Sequence, residues 1–149
     1  MSKKYIAYGS NLSVEQMKYR CPDAKVIGMA AVKDWKLVFR THATIEPAKG
    51  RVVPVLIWEI SAGDEKRLDF YEGYPSYYFK QDMTVTMTDL DGRNPQEVTA
   101  MVYLMAGGHP VRTPMKSYYD TLEEGYQRFG FNSYLLEQAF EEAMEVEIQ

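Results

Sequence analysis

Val52-Val53-Pro54-Val55-Leu56-Ile57-Trp58-Glu59-Ile60 is almost continuously apolar and is bounded by polar residues. A run of this length and composition predicts a strand buried on both faces. Proline cannot donate to a ladder, so Pro54 is expected at a bulge or at the strand start. Residues 41–51 are polar and hold Pro47 and Gly50, which predicts a loop. Before them, Val26-Ile27-Gly28-Met29-Ala30-Ala31-Val32 and Trp35-Lys36-Leu37-Val38-Phe39, joined by Lys33-Asp34, predict a hairpin or a bent strand pair. Residues 4–8 read as a short strand that breaks at the turn formers Gly9-Ser10-Asn11. Ser13-Val14-Glu15-Gln16 then has the spacing of a capping box, so a helix follows. It stops by Cys21-Pro22, because a proline drives the residue before it out of helical space.

Downstream, Ser61-Ala62-Gly63-Asp64 caps a short helix with Leu68, Phe70 and Tyr71 as its apolar members and Gly73 as its stop. Two strands are expected over 77–88 and 98–105, separated by the turn-rich residues 89–95. Strict alternation in Met83-Thr84-Val85-Thr86-Met87-Thr88 gives the first of them one wet face. Thr113-Pro114 suits the cap and first position of a helix whose Tyr118, Leu122, Gly125, Tyr126 and Phe129 share a face before Gly130 ends it. A last helix from about Asn132 places Leu135, Leu136, Ala139, Phe140, Ala143 and Met144 at helical spacing. Strands and helices mix without βαβ alternation. The expected fold is therefore α+β with a mostly antiparallel sheet, open or closed, and a doubly wound parallel sheet is disfavoured. Strand order decides whether the Gly9 turn and Glu72 share one rim, and the pattern does not fix that order.

With 149 residues and 46% apolar composition, residues 1–149 are expected to form one domain. Tyrosine supplies 12 of the aromatic side chains, against 6 Phe and 2 Trp, and the mean hydropathy is −0.39. Such a skew fits either good strand formers or a pocket lined by rings that each keep a hydroxyl. A net charge of −4 with interspersed signs leaves no basic stripe, so nucleic-acid binding is disfavoured. The acidic segment from Glu141 to Glu147 reads as a solvated helix end. Cys21 is the single cysteine, which excludes an intrachain disulfide and a cysteine zinc cluster and favours a reduced, cytoplasmic setting. The apolar stretch after Lys3-Lys4 is too short for a signal-peptide core, and no apolar run approaches the ~18 residues of a membrane span.

Familiar catalytic schemes fail on these residues. His42 and His109 lie far apart in expected loops without metal-ligand spacing, no G-x-S-x-G elbow or phosphate loop occurs, and Cys21 has no marked base. Two features remain. In Tyr8-Gly9-Ser10-Asn11-Leu12, a glycine and successive N–H groups beside a helix start could hold a carboxylate or phosphate; the same residues also read as a plain turn and cap. In Leu68-Asp69-Phe70-Tyr71-Glu72-Gly73-Tyr74-Pro75-Ser76-Tyr77-Tyr78, Glu72 ends a helix among aromatic rings. The helix dipole and partial burial would both raise its pKa toward that of a general base, unless Glu72 is a surface residue. Asp69 is the weaker candidate, expected on a solvated face.

Together, these stretches with Met17, Arg20-Cys21-Pro22-Asp23-Ala24 and Gly28, and with Tyr118 and Gly125 between Pro114 and Gly130, resemble the γ-glutamylcyclotransferase-like (AIG2-like) superfamily. The resemblance covers most of the chain except the last helix. It implies a small mixed β-barrel flanked by helices, and an enzyme that cyclises a γ-glutamyl group to 5-oxoproline with release of an amine. It implies Glu72 as the catalytic acid/base, Tyr8, Gly9, Ser10, Asn11 and Leu12 as the loop that holds the γ-glutamyl group, and Tyr118 in the same pocket. No metal or organic cofactor is implied, and the partner is a small-molecule γ-glutamyl compound, with no nucleic acid and no membrane. Many relatives have glycine after the Val-Pro pair, where this chain has Val55, a departure that bears on substrate shape. The alternatives are a non-catalytic pocket for a small carboxylate and an amidohydrolase that uses water. Tyr71, Tyr74, Tyr77 and Tyr78 are expected around Glu72, while Tyr5, Tyr19, Tyr103, Tyr119, Tyr126 and Tyr134 are assigned to strands and core.

Overall fold

A computed structural model describes residues 2–149. Along the chain come β1 (Ser2–Ala7), a 3-10 turn (Ser10–Leu12), α1 (Val14–Arg20), β2 (Lys25–Arg40), β3 (His42–Ser61), α2 (Ala62–Glu72), β4 (Tyr78–Thr88), β5 (Gln96–Met105), α3 (Lys116–Phe129) and α4 (Ser133–Glu147). The strands close into a barrel in the order β1-β3-β2-β4-β5. Every seam is antiparallel except that between β1 and β5, which run parallel and meet at Tyr5↔Met101. The expected α+β class and closed, mostly antiparallel sheet are what the chain adopts.

The apolar run 52–60 lies in β3, between β1 and β2 in the barrel. Val53, Val55, Leu56, Ile57 and Ile60 are fully buried and Trp58 nearly so, with both parities of the strand covered. Each such side chain contributes about 1.5–3 kcal/mol relative to exposure. Pro54 is at neither a bulge nor a strand start; it sits within β3 opposite Ala31. β1 ends its pairing at Ala7↔Leu56, so beyond that rung β3 has a neighbour on one side and a missing donor is tolerated.

Residues 41–51 are not a loop. Thr41 alone makes the turn, at φ 71°, and β3 starts at His42 in register with Arg40. Ala43, Thr44 and Ile45 are buried, while the polar residues that suggested a loop form the wet side of a long β2–β3 ribbon. Arg40 Nε donates to Glu46 across that ribbon at 2.9 Å. The two segments expected as a hairpin or bent pair are one strand, β2, bent at a bulge between Lys33 and Trp35 where Asp34 has φ 65°.

The helices follow their caps. Ser61 and Asp64 form a reciprocal capping box at α2, and Gly73 closes that helix in the left-handed conformation at φ 65°. In α2, however, Leu68 alone of the expected apolar members is buried, whereas Phe70 and Tyr71 are 84% and 55% exposed. Ser13 caps α1 by accepting from Gln16 N at 3.2 Å, and Asn132 caps α4. The start of α3 differs from expectation. Met115 is its N-cap without a side-chain bond, because Thr113 turns instead to Glu147 near the end of α4, its Oγ1 donating at 3.0 Å. α4 packs on β2, and α3 packs on the 3-10 turn that follows β1. No helix among the described residues is long and apolar enough to cross a membrane.

Candidate active site

Two adjoining cavities open on one rim of the barrel. An inner recess of about 30 Å³ and an outer cavity of about 450 Å³ share Ser10, Glu72, Tyr78 and Tyr118 as walls. The strand order therefore does bring the Gly9 turn and the end of α2 together. A larger trough of about 630 Å³ lies elsewhere on the barrel, but its walls are mainly apolar and Lys33 is its one titratable residue, so the chemistry is not there.

β1 delivers Tyr8 to the inner recess, where its hydroxyl donates to Tyr103 O at 2.7 Å. Gly9 follows at φ −120°, ψ −130°. A Cβ there would lie 3.3 Å from the Tyr118 hydroxyl and 3.6 Å from Ala43 Cβ, so only a glycine lets the backbone form this wall without displacing Tyr118. The 3-10 turn closes with Leu12 N donating to Gly9 O and Ser13 N to Ser10 O, both at 3.0 Å. The N–H groups of Ser10 and Asn11 precede those bonds and are not consumed by them. Asn11 is buried and rigidly held: Nδ2 donates to Tyr5 Oη at 2.8 Å, Oδ1 accepts from Arg20 at 2.7 Å, and its backbone carbonyl accepts from Trp58 Nε1 at 3.1 Å.

Leu12 is not on either cavity wall. It is fully buried beneath the turn, where α3 meets it at Gly125; a Cβ on Gly125 would lie 2.7 Å from Leu12 Cβ. On an unobstructed helix, glycine to alanine gains up to ~1 kcal/mol. Gly125→Ala is expected instead to lower stability by about 1–3 kcal/mol through this overlap, and to shift the amide resonances of Ser10 and Asn11. Denaturant unfolding and amide NMR measure the two effects; a stabilised variant with an undisturbed turn would contradict the contact.

Glu72 is the last residue of α2, and the chain turns away immediately after it at Gly73. It faces both cavities and takes no hydrogen bond from its surroundings. Burial pushes its carboxyl up to about 7, opposed by the nearby Arg20 guanidinium. Desolvation is thus the dominant cause. The phenols around it are neutral at pH 7. Burial raises Tyr118 to about 12 and Tyr5, Tyr8, Tyr78 and Tyr103 well above the ordinary tyrosine value. Tyr118 Oη accepts from Ala43 N at 3.0 Å, which leaves its own proton to donate; Tyr78 Oη already donates to Ala43 O at 2.7 Å.

Of the residues expected at the site, Tyr8, Gly9, Ser10, Asn11, Glu72 and Tyr118 meet at the recess, joined by Tyr71, Tyr77 and Tyr78 in the two cavities. Tyr74 stands outside them, with Lys80 Nζ 4.2 Å above its ring. Tyr5 and Tyr103, assigned to strand and core, line the recess. Asp69 is not simply solvated: it accepts from Tyr103 Oη at 2.6 Å and pairs with Lys80 at 2.9 Å, tying α2 to the barrel one turn before Glu72. Gln16, Arg20, His42, Ser117 and Thr121 also line the outer cavity. The i, i+4 spacing of Gln16 and Arg20 on α1 was the available sign that they share a face. Val55 lines neither cavity, so the departure there does not touch the site directly. Among the described residues, no three His, Cys, Asp or Glu side chains are grouped to hold a metal ion.

Comparison with known proteins gives a consistent relationship. The mouse γ-glutamylcyclotransferase is 32% identical over 113 residues, which is 68% of this chain and 58% of that protein. The human one is 29% identical over the same length. The chain thus matches somewhat more than half the length of these curated relatives. Among solved structures, a γ-glutamyl cyclotransferase superposes with a TM-score of 0.80 at 26% identity, covering 93% of this chain and 86% of the other. An uncharacterized human protein superposes with a TM-score of 0.75 at 27% identity and the same coverages. The family model described as gamma-glutamyl cyclotransferase, AIG2-like, matches residues 5–128, which span every wall of both cavities. The chain belongs to that family.

Proposed function

We propose that this protein converts a small γ-glutamyl compound to 5-oxoproline and a free amine, with Glu72 as the general acid and base. The observation that carries this reading is a single carboxyl, raised to about 7, at the junction of a donor-rich recess and a roomier cavity. The α-carboxylate of the γ-glutamyl group points into the inner recess, against the N–H groups of the Gly9–Asn11 turn, while the rest of the group lies in the outer cavity beside Glu72. The α-ammonium, with a reference pKa of ~8, gives a proton to Glu72. Its nitrogen then attacks the γ-carbonyl carbon, and Tyr118 Oη donates to the oxygen that gains charge. Glu72 returns the proton to the departing nitrogen as the carbon–nitrogen bond breaks, and the second proton on the ring nitrogen passes to the released amine, which leaves as an ammonium ion while the ring keeps the one N–H of 5-oxoproline. One carboxyl suffices, because it serves first as base and then as acid.

The ring closure is intramolecular, and holding the chain folded supplies an effective concentration that solvent cannot match. A carboxyl near 7 suits both halves of the cycle, since it is partly ionised at neutral pH and its proton is readily returned. The test is product analysis on a panel of γ-glutamyl amino acids, peptides and amines. 5-Oxoproline in equal amount with free amine is expected. Free glutamate would identify an amidohydrolase, and saturable heat of binding with no product would identify a binding domain.

A further inference from the structure

We infer that Tyr5 is a substrate-binding residue whose phenolic proton is donated, in the inner recess, to the α-carboxylate of the γ-glutamyl group, and that Arg20 and Asn11 are positioning residues that fix the direction of this hydrogen bond. This rests on the cyclotransferase reading above. Five phenols line the recess, and they differ in what they can offer a ligand. Three have their protons committed within the protein: Tyr8 donates to Tyr103 O at 2.7 Å, Tyr78 to Ala43 O at 2.7 Å, and Tyr103 to Asp69 Oδ1 at 2.6 Å. The other two are acceptors. Tyr118 Oη takes the Ala43 N–H at 3.0 Å, and Tyr5 Oη takes Asn11 Nδ2 at 2.8 Å. A phenol carries one proton, so Tyr118 and Tyr5 each keep theirs for what enters the recess. Tyr118 serves the γ-carbonyl oxygen, and no described residue accepts the proton of Tyr5.

The direction of the bond between Asn11 and Tyr5 is imposed from α1. An amide could turn either its oxygen or its NH₂ toward a phenol. Arg20 Nη1, however, donates to Asn11 Oδ1 at 2.7 Å, and a guanidinium has no acceptor, so the amide oxygen must face Arg20 and Nδ2 must face Tyr5. The Tyr5 oxygen is thereby obliged to accept and its proton to point elsewhere. Arg20 is itself held, for Nη1 also reaches Ser10 Oγ at 3.2 Å and the guanidinium lies 4.8 Å from the Tyr71 ring centroid. The Tyr5 ring is fixed edge-to-face on Tyr103 at 5.8 Å. Asn11 and Tyr5 are both buried, so bulk water does not compete for these bonds. Burial, and after it the negative charge of Glu72, holds the Tyr5 phenol well above its ordinary value, so it stays a donor at neutral pH. The recess, at about 30 Å³, takes a group the size of a water molecule, which suits one carboxylate oxygen. A carboxylate there meets the N–H groups of Ser10 and Asn11 and the Tyr5 proton in a charge-assisted bond, whereas an ammonium would meet protons.

5-Oxoproline and 2-pyrrolidinone share a lactam ring and differ by the carboxylate alone, so their affinities for the full chain, measured by NMR titration, isolate its contacts. Wild type is expected to bind 5-oxoproline at least about tenfold more tightly. Tyr5→Phe removes one oxygen atom; it should weaken 5-oxoproline by about 10–100-fold and leave 2-pyrrolidinone within about twofold. Arg20→Met frees the Asn11 amide to turn over, so that Oδ1 takes the Tyr5 proton. It too should weaken 5-oxoproline selectively, and Tyr5→Phe added to Arg20→Met should cost no more than about twofold further. Arg20→Lys, which again offers only donors, should keep the effect of Tyr5→Phe. If Tyr5→Phe still costs its full factor beside Arg20→Met, Arg20 acts by charge alone and its positioning role is overturned. Unchanged 5-oxoproline affinity in Tyr5→Phe, or equal weakening of both ligands, overturns the assignment of Tyr5. Should Tyr5→Phe fail to fold, Arg20→Met leaves every ring of the recess in place, and a ratio of the two affinities equal to that of wild type overturns the inference. Product analysis on γ-glutamylalanine is read separately: no 5-oxoproline overturns the cyclotransferase reading, whereas turnover with the wrong affinity pattern overturns the inference about Tyr5 alone.

Discussion

Glu72→Gln is expected to lower kcat/KM for 5-oxoproline release by about 10²–10⁴-fold, and at the same time to make the protein more stable at pH 8. Both effects come from one carboxyl in one place. Glutamine keeps the shape but can neither take the α-ammonium proton nor return it, so the chemical step loses its carrier. The stability effect follows from the raised pKa. In the unfolded chain this carboxyl titrates near 4.3, in the folded protein near 7. Between those values the folded state binds more protons than the unfolded state, so wild-type stability falls as pH rises through that window. The ionised protein carries a cost on the order of 1–3 kcal/mol, which glutamine removes. The melting temperature of Glu72→Gln should therefore exceed that of wild type at pH 8, with the difference shrinking to nothing near pH 4. For the wild type, kcat/KM should fall about tenfold per pH unit below pH 7, where the base becomes protonated. Thermal denaturation at several pH values and a rate profile check the two halves. A variant that is slow but no more stable above pH 7 would place Glu72 in solvent and remove the reason for its reactivity.

Features set by local chemistry were legible: the buried run at 52–60, the Ser61–Asp64 capping box, the Gly73 and Gly130 stops, and the alternation of β4 all depend on neighbours within a few residues. The β2–β3 ribbon was not, because polar residues on the wet side of a strand carry the same composition as a loop and only the partner strand makes them regular. The tyrosines divide along the same line. Tyr71, Tyr77 and Tyr78 are close to Glu72 in sequence and were assigned correctly to its surroundings, whereas Tyr5 and Tyr103 reach the recess through the parallel β1–β5 closure. Tyr74 shows the reverse error, for proximity in sequence did not turn its ring inward. Asp69 and Arg20 acquire their partners from β4, β5 and the 3-10 turn, elements that no local pattern connects to them. Glu72 itself was visible because a helix stop, an acid and a run of rings coincide there, and the resemblance to a known family joined it to the Gly9 turn before the strand order was known.

Gly28→Ala is expected to be among the most destabilising single-methyl changes in the chain, at about 3 kcal/mol or more. The residue sits on β2 where the register with β3 shifts after Val26, next to the seam with β4. That seam consists of the pairs Met29↔Thr88 and Ala30↔Met87. A Cβ on Gly28 would fall 2.3 Å from Thr88 O and 2.6 Å from Met87 Cγ. Met87 could rotate away, but a backbone carbonyl cannot move without carrying the strand with it, so the overlap is relieved by separating β4 from β2. The barrel is then open on that side, and the buried side chains Met83, Val85 and Met87 lose part of their cover. Gly107→Ala is the matching control, since a Cβ there meets nothing within 4 Å, and it should change stability by less than about 0.5 kcal/mol. Urea unfolding of both variants gives the difference directly. The result bears on function as well, because β4 carries Tyr78 into the recess and the segment that leads into it follows directly from Glu72. If Gly28→Ala weakens the seam, substrate turnover should fall in the folded fraction too. A variant as stable as Gly107→Ala would mean that β2 and β4 do not approach this closely at Gly28.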